Sequence, residues 1–421
     1  MQRIIDRRQM VNALLTGTAG VCAVGLGACS GSTTLGPTGA LPAANTSSPA
    51  PADSTAAIVK VGLMLPLGSS TQIAAIAKSM RQAAELALFE RPNANLQLIT
   101  KDDKGTPEGA KAAADELLKS GAEIVIGPLF AKSVSAIGPM AQAANVPVIG
   151  FSNDPGVAGP GVYLLSFLAE SEADRIIQHA ADQGRRTFAA LVSDDASGRI
   201  AEQAFRSAIE RRGGRVALVE RYNIDQSGIL EPSRKLKEAF QEGAESEGQI
   251  DALYLPGGPD VLPQLSFLIG KAGIDHRNVK LLGSSGWDYA AIGREPRLQG
   301  AWFAAPDPRG WRDFSTKFTK SYNAMPARLA SLSFDAMDMV SSLASQPRGQ
   351  RFTTANLTRA SGYLGVDGPF RLLPNGRNER RLAVLEVQKD GPIVIEPAPS
   401  TLASAGPVAA DDGPRHAASL N

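Results

Sequence analysis

The chain has 421 residues, 43% of them hydrophobic and 20% charged, which suits about two globular domains and excludes a disordered polyelectrolyte. Its formal net charge is +1, so no global field draws it to nucleic acid or to an acidic surface. Its three histidines, His179, His276 and His416, stand far apart, which excludes a His-rich metal centre.

The N-terminus carries Arg3, Arg7 and Arg8, then an uncharged run over 9–29 rich in Leu, Val, Ala and Gly. This is the pattern of a secretory signal, here assigned to residues 1–28. The run ends in Leu26-Gly27-Ala28-Cys29, which resembles a bacterial lipobox and makes Cys29 the candidate for lipidation. Cleavage before Cys29 removes Cys22, so no internal disulfide is possible, and acylation accounts for the remaining thiol. Each buried acyl CH₂ contributes about 0.8 kcal/mol to membrane anchoring. The expected location is the periplasmic face of the cell envelope, with Ser30 after the cysteine favouring the outer membrane by resemblance. Residues 29–57, rich in Ser, Thr, Gly, Pro and Ala, read as a flexible tether.

A strand is predicted over 58–65, a helix over 73–89 and a strand over 96–99. Asp102-Asp103 reads as a turn rather than a catalytic pair. Thr106 caps a helix that has Pro107 at its first position and ends before Ser120-Gly121. The stretch 123–154 follows as strand, helix and strand. Apolar runs at 123–126 and 146–149 flank a helix over 132–144, and each run ends in a loop. Strands that are apolar throughout and joined by a helix imply a parallel sheet covered on both faces. In such a sheet the loops after the strand C-ends line the ligand crevice.

A strand over 162–167 is expected to lead into a second lobe. There helices at 172–182, 199–212, 232–241 and 261–272 alternate with strands at 187–192, 215–221, 250–255 and 279–282. A strand over 300–304 and helices over 311–322 and 329–343 are expected to return to the first lobe. Strands within 362–372 and 381–388 are joined by the turn Pro374-Asn375-Gly376-Arg377. Residues 397–421 read as a disordered Ala/Pro/Ser tail. The fold class is therefore α/β, two doubly wound lobes with a central cleft. Lobe 1 is expected over 58–161 and 300–396, and lobe 2 over 162–299. Crossings near 155–167 and 294–305 form a hinge.

Enzyme signals fail. There is no Ser-x-x-Lys, no Gly-x-Ser-x-Gly and no P-loop, because Ala272 follows the only Gly-Lys pair, Gly270-Lys271. No nucleophile is paired with a base, and no cofactor or metal is implied.

Several stretches together resemble type I periplasmic binding proteins of the leucine/isoleucine/valine-binding kind. They are 61–67 (VGLMLPL), Asp102-Asp103 with Gly109, Ile126-Gly127-Pro128 with Ser133, 146–149 (VPVI) and the closing 365–372 segment. The resemblance spans about 58–396. It implies a two-lobed, venus-flytrap fold and a small-molecule ligand, amino-acid-like or a wall fragment, delivered in many relatives to an ABC permease. By this resemblance Phe130, Ser133, Ser152, Asn153 and Phe167 supply the first half of the pocket, the hydroxyls and helix N-termini facing a ligand carboxylate. Gly257, Ser285 and Trp287 supply the second half. Neutral Ser285 stands where amino-acid binders commonly place an acid for the ligand ammonium, and Asp288 is the acidic residue nearby. That departure, the lipobox, the tether and the loop 283–288 (GSSGWD) are similar to lipoproteins that activate penicillin-binding proteins. This gives a second expected partner, a peptidoglycan synthase engaged by protein contact.

Overall fold

Two sheets of the same strand order organise the structure. The computed structural model describes residues 58–91, 95–223, 230–246, 249–275, 278–289 and 291–402. The signal segment 1–28, Cys29 with the tether 29–57, and 403–421 of the tail lie outside the described residues.

The first sheet holds β1 (Val59–Leu65), β2 (Leu96–Asp102), β3 (Ile124–Ile126), β4 (Val148–Gly150) and β5 (Val162–Leu164) in the order β2-β1-β3-β4-β5. All four pairings are parallel, with Val61 opposite Ile124 and Leu63 opposite Ile126. Side chains alternate across the sheet. Val61 and Leu63 join one core with Met80 and Ala84 of α1 (Thr71–Glu90) and Leu332 and Ala336 of α9 (Ala330–Leu343). Met64 faces the other way, into a core with Leu117 of α2 (Pro107–Lys119) and Val134 and Ile137 of α3 (Ala131–Ala143). Each fully buried aliphatic side chain contributes about 1.5–3 kcal/mol.

Local signals hold these connections. Thr106 Oγ1 accepts from the Gly109 amide at 3.1 Å and starts α2. Asp102 Oδ1 accepts from Gly68 at 3.0 Å and from Lys104 at 2.9 Å, and Asp103 Oδ1 accepts from Gly105 at 3.0 Å. The acid pair is thus turn chemistry. Gly127 has φ +93°, and a Cβ there would stand 2.0 Å from the Met64 carbonyl oxygen, so only glycine lets β3 leave beside β1.

The second sheet is entered through α4 (Ala169–Asp182). It continues with β6 (Thr187–Ser193), α5 (Ala196–Glu210), β7 (Arg215–Tyr222), α6 (Leu230–Ser246), β8 (Ala252–Leu255), α7 (Leu262–Ala272), β9 (Lys280–Gly283) and β10 (Trp302–Ala305). The order β7-β6-β8-β9-β10 repeats that of the first sheet. Beyond β10 lie β14 (Ala383–Glu386) and β15 (Ile393–Glu396), both antiparallel to their neighbours. Helix α8 (Pro308–Tyr322) packs on α1, burying Phe314 and Phe318 against Ala83 and Leu86. After the short α10 (Thr354–Leu357), β11 (Tyr363–Gly365), β12 (Gly368–Leu372) and β13 (Asn378–Arg380) form a small antiparallel sheet. Among the described residues no helix is long and apolar enough to cross a membrane.

The sheet order corrects the expected lobe boundaries. Strand β5 stays in the first sheet beside β4 instead of opening the second lobe. Strands β10, β14 and β15 belong to the second sheet, although 300–396 was expected in the first lobe. The physical reason is pairing. Trp302-Phe303-Ala304-Ala305 completes the parallel run beside β9 and accepts β14 on its other edge. The turn at 374–377 therefore joins β12 to β13, while β14 leaves for the other sheet. The chain crosses between the sheets three times among the described residues, at 165–168, 306–307 and 381–382.

Candidate functional site in the cleft

Parallel strands end together, so their exit loops converge. A cavity of about 290 Å³ lies where the exits of both sheets meet. The first sheet contributes Asn153 after β4 and Phe167 in the first crossing. The second contributes Ala169 and Glu172 of α4, and Ser197, Ile200 and Ala201 at the start of α5. The end of β8 brings Tyr254, Pro256 and Gly257, and the exit of β9 brings Ser284, Ser285 and Gly286. The last two loops touch. A Cβ on Gly286 would stand 2.2 Å from the Gly257 carbonyl oxygen, a separation no other residue tolerates.

Glu172 dominates the electrostatics. It lies on the buried stripe of α4 with Ile176 and Ala180 and is only 8% exposed. The Ser285 hydroxyl donates to Glu172 Oε1. Burial pushes the carboxyl up to about 7, against hydrogen bonds from the Ser285 hydroxyl and backbone, while the neighbouring Glu170 adds to the rise. The Tyr254 phenol is buried beside it, stacked on Phe205 at 5.3 Å, and its hydroxyl has no hydrogen-bond partner among the described residues. Burial, with the Glu172 charge, raises that phenol far above its usual range. The Glu172 carboxyl and an unpartnered hydroxyl thus both belong to the cavity wall. Phe167, Ala169, Ile200, Ala201 and Pro256 give it an apolar body.

The expected pocket residues divide. Asn153, Phe167, Gly257 and Ser285 line the cavity. Ser152 does not; it is buried, and its Oγ accepts from the Asp154 amide at 3.0 Å in a local turn. Ser133 is fully buried on the first turn of α3, its Oγ without a partner among the described residues, and is not part of the cavity wall. Phe130 stands at the N-cap of α3 with its ring against Gly105. Trp287 is a core residue with no exposed surface. Its Nε1 donates to the Leu255 carbonyl at 3.0 Å, and its ring fills the space Gly283 leaves. Asp288 is half-buried and raised by burial, with Arg328 opposing and Asp367 adding to the rise, and it too is outside the wall.

Glu172, Tyr254, Ser197 and Ser284 were not anticipated. The available signal for Glu172 was an acid on an otherwise apolar helix stripe. A solvent-facing acid in the first turn reads the same way, since α4 also carries Glu170 there.

The periplasmic binding protein family model matches residues 58–392. The chain belongs to the periplasmic binding protein family. A Leu/Ile/Val-binding protein homolog 6 of Brucella melitensis is 26% identical over 214 residues, 49% of this chain and 53% of its own length. The penicillin-binding protein activator LpoA of Edwardsiella piscicida is 23% identical over 348 residues, covering 72% of this chain and 47% of its own. The chain thus spans about half the length of the curated relatives it matches. Among solved structures, an ABC transporter substrate-binding protein of Desulfitobacterium hafniense in complex with Leu superposes with a TM-score of 0.61. The identity is 16%, covering 80% of this chain and 99% of that one. As a periplasmic binding protein, the chain keeps the two-sheet scaffold. It differs from the expected site in where its acid comes from, since Glu172 reaches Ser285 from another element.

Proposed function

We propose that this periplasmic binding protein is a non-catalytic, lipid-anchored solute receptor of the cell envelope. It holds a small ligand, amino-acid-like or a wall fragment, between its two lobes. The observation that carries this reading is the cavity built from the strand exits of both sheets, with Glu172, Ser285 and Tyr254 in its wall. The fold shared with a Desulfitobacterium hafniense substrate-binding protein that was solved in complex with Leu supports a small-ligand role. Cys29 supplies the anchor and 29–57 the reach, and an ABC permease is the natural recipient of the solute. A ligand that binds only the folded protein raises its melting temperature. Protein stripped of carried-over solutes by unfolding and refolding is therefore expected to melt higher with at least one amino acid, amine, small peptide or wall fragment. A flat response to all four classes refutes the receptor.

The match to the penicillin-binding protein activator over 72% of this chain favours a second reading, contact activation of a peptidoglycan synthase. Under that reading the purified protein raises glycosyltransferase or transpeptidase rates of a bifunctional synthase. Unchanged rates and no co-purification remove it.

A further inference from the structure

The ionisable groups in the cavity wall itself are acidic, while the Arg328 and Arg380 guanidiniums stand 4.9 and 5.3 Å from the ring of lining Phe167. Among the described residues that line it, Glu172 and Tyr254 are the ionisable side chains, and no Lys, Arg or His takes part. The hydroxyls expected to hold a ligand carboxylate are elsewhere, Ser152 in its own turn and Ser133 inside the first lobe. The two long helices that begin at the cavity already carry acids at their N-termini. Helix α4 has Glu170 and Glu172 in its first turn, and α5 is capped by Asp195, whose Oδ1 accepts from Gly198 at 2.8 Å. Their partial positive charge is therefore met from within the chain.

A carboxylate in the wall of a largely apolar cavity is costly to bury alone and gains from a cation brought to it. The partly filled shell of Glu172, with the Ser285 hydroxyl on Oε1 and the unpartnered hydroxyl of Tyr254 in the same wall, fits an N–H-rich cationic head. From Glu172 with Ser285 and Tyr254 in a wall that contains no cationic side chain, together with the apolar wall residues Phe167, Ile200 and Pro256, we infer that the cleft takes a small organic ammonium ion with an apolar body. It needs no α-carboxylate on that ligand. This narrows the solute-receptor reading and rests on it.

The groups that face the Glu172 carboxyl are Glu170 on its own helix, Tyr254 of β8 and Ser285 of the β9 exit. Glu170 is itself met by Arg377 at 3.5 Å. The raised carboxyl makes the ammonium site stronger as pH rises, because an alkyl ammonium stays charged while Glu172 ionises.

The test uses three probes with one shared apolar body, 3-methylbutylamine, leucine and 3-methylbutanoate, titrated calorimetrically into the purified full chain at about pH 8.5. The amine is expected to bind at least as tightly as leucine, and the carboxylate not to bind. Glu172→Gln is expected to weaken the amine at least about tenfold. In the unaltered protein a shift to about pH 5.5 is expected to weaken it by a similar factor, which needs no substitution to fold. Binding of leucine or 3-methylbutanoate without the amine overturns the inference, as does an amine affinity indifferent to both Glu172→Gln and pH. In those cases the receptor reading stands. Silence from all three probes also overturns it. The broader reading is then decided separately: a stoichiometric small molecule released by unfolding keeps the receptor, and none together with a flat melting response to all four solute classes removes both.

Discussion

Glu172 shows how burial sets the role of a single side chain. Its carboxyl is raised from the ordinary glutamate value to about 7, chiefly by burial, so the folded protein favours the protonated form. The stability this contributes is complete below about pH 4.5 and is lost as pH rises through about 7. Without ligand, Glu172→Gln is therefore expected to be more stable than the parent at pH 8, by about 3 kcal/mol, and equal to it below about pH 4.5. Urea melts at both pH values check this, and an offset independent of pH contradicts it. Trp287 makes the contrasting case. It sits beside Ser285 in sequence, yet it is fully enclosed between Gly283 and Phe303, whose ring lies 6.2 Å away. Trp287→Ala is expected to cost about 3–5 kcal/mol in a denaturant melt. A loss of ligand response without loss of stability would instead make it a pocket wall. In a sequence both residues look equally available to a ligand, because neither burial nor the Glu172–Ser285 contact across 113 positions leaves a local trace.

At the scale of elements, the alternation of strand and helix was legible throughout 58–283, because apolar runs bounded by turn residues identify strands whatever they pair with. Sheet membership was not. Trp302–Ala305 and Ala383–Glu386 are apolar enough for either lobe, and only the parallel pairing of the first with β9, and the antiparallel pairing of the second with the first, assign them to the second sheet. Besides its backbone pairing with β14, the edge strand β15 has one side-chain contact set with α4. Glu396 meets Arg175 Nη2 at 2.8 Å and His179 Nδ1 at 2.5 Å, both on α4, the helix that carries Glu172. Burial would raise the Glu396 carboxyl, but hydrogen bonds from Arg175 and His179 outweigh it and hold it low. That support is present above the ordinary glutamate value and is lost as pH falls through the depressed one. Glu396→Ala is expected to speed amide exchange along β15 at neutral pH, and the parent to approach the variant in acid. Equal exchange at neutral pH would mean that backbone pairing with β14 holds the strand unaided.

At the scale of the molecule, three crossings join the sheets, and two are clamped to different sides. Phe167 in the first crossing lies 4.9 Å from the Arg328 guanidinium and 5.3 Å from that of Arg380, both from the first-lobe side. Leu382 in the third offers its carbonyl to Arg175 Nε of α4 at 2.9 Å. Arg328 is tied to the fully buried Asp367 at 2.7 Å, so removing the cation strands a buried charge. Arg328→Ala is expected to cost about 3 kcal/mol, and Asp367→Asn in the same chain to restore part of it, because the neutral amide needs no counterion. Connections clamped in this way bend between their clamps rather than within them, which is how a hinge closes on a ligand. A solute that binds the cleft is therefore expected to lower the radius of gyration in solution scattering. The Arg328→Ala chain should show a weaker change, because Phe167 is no longer held when the lobes approach. A cleft that binds solute with no change in radius in either chain would make the two lobes a rigid platform, and closure would then have no part in signalling occupancy to a partner.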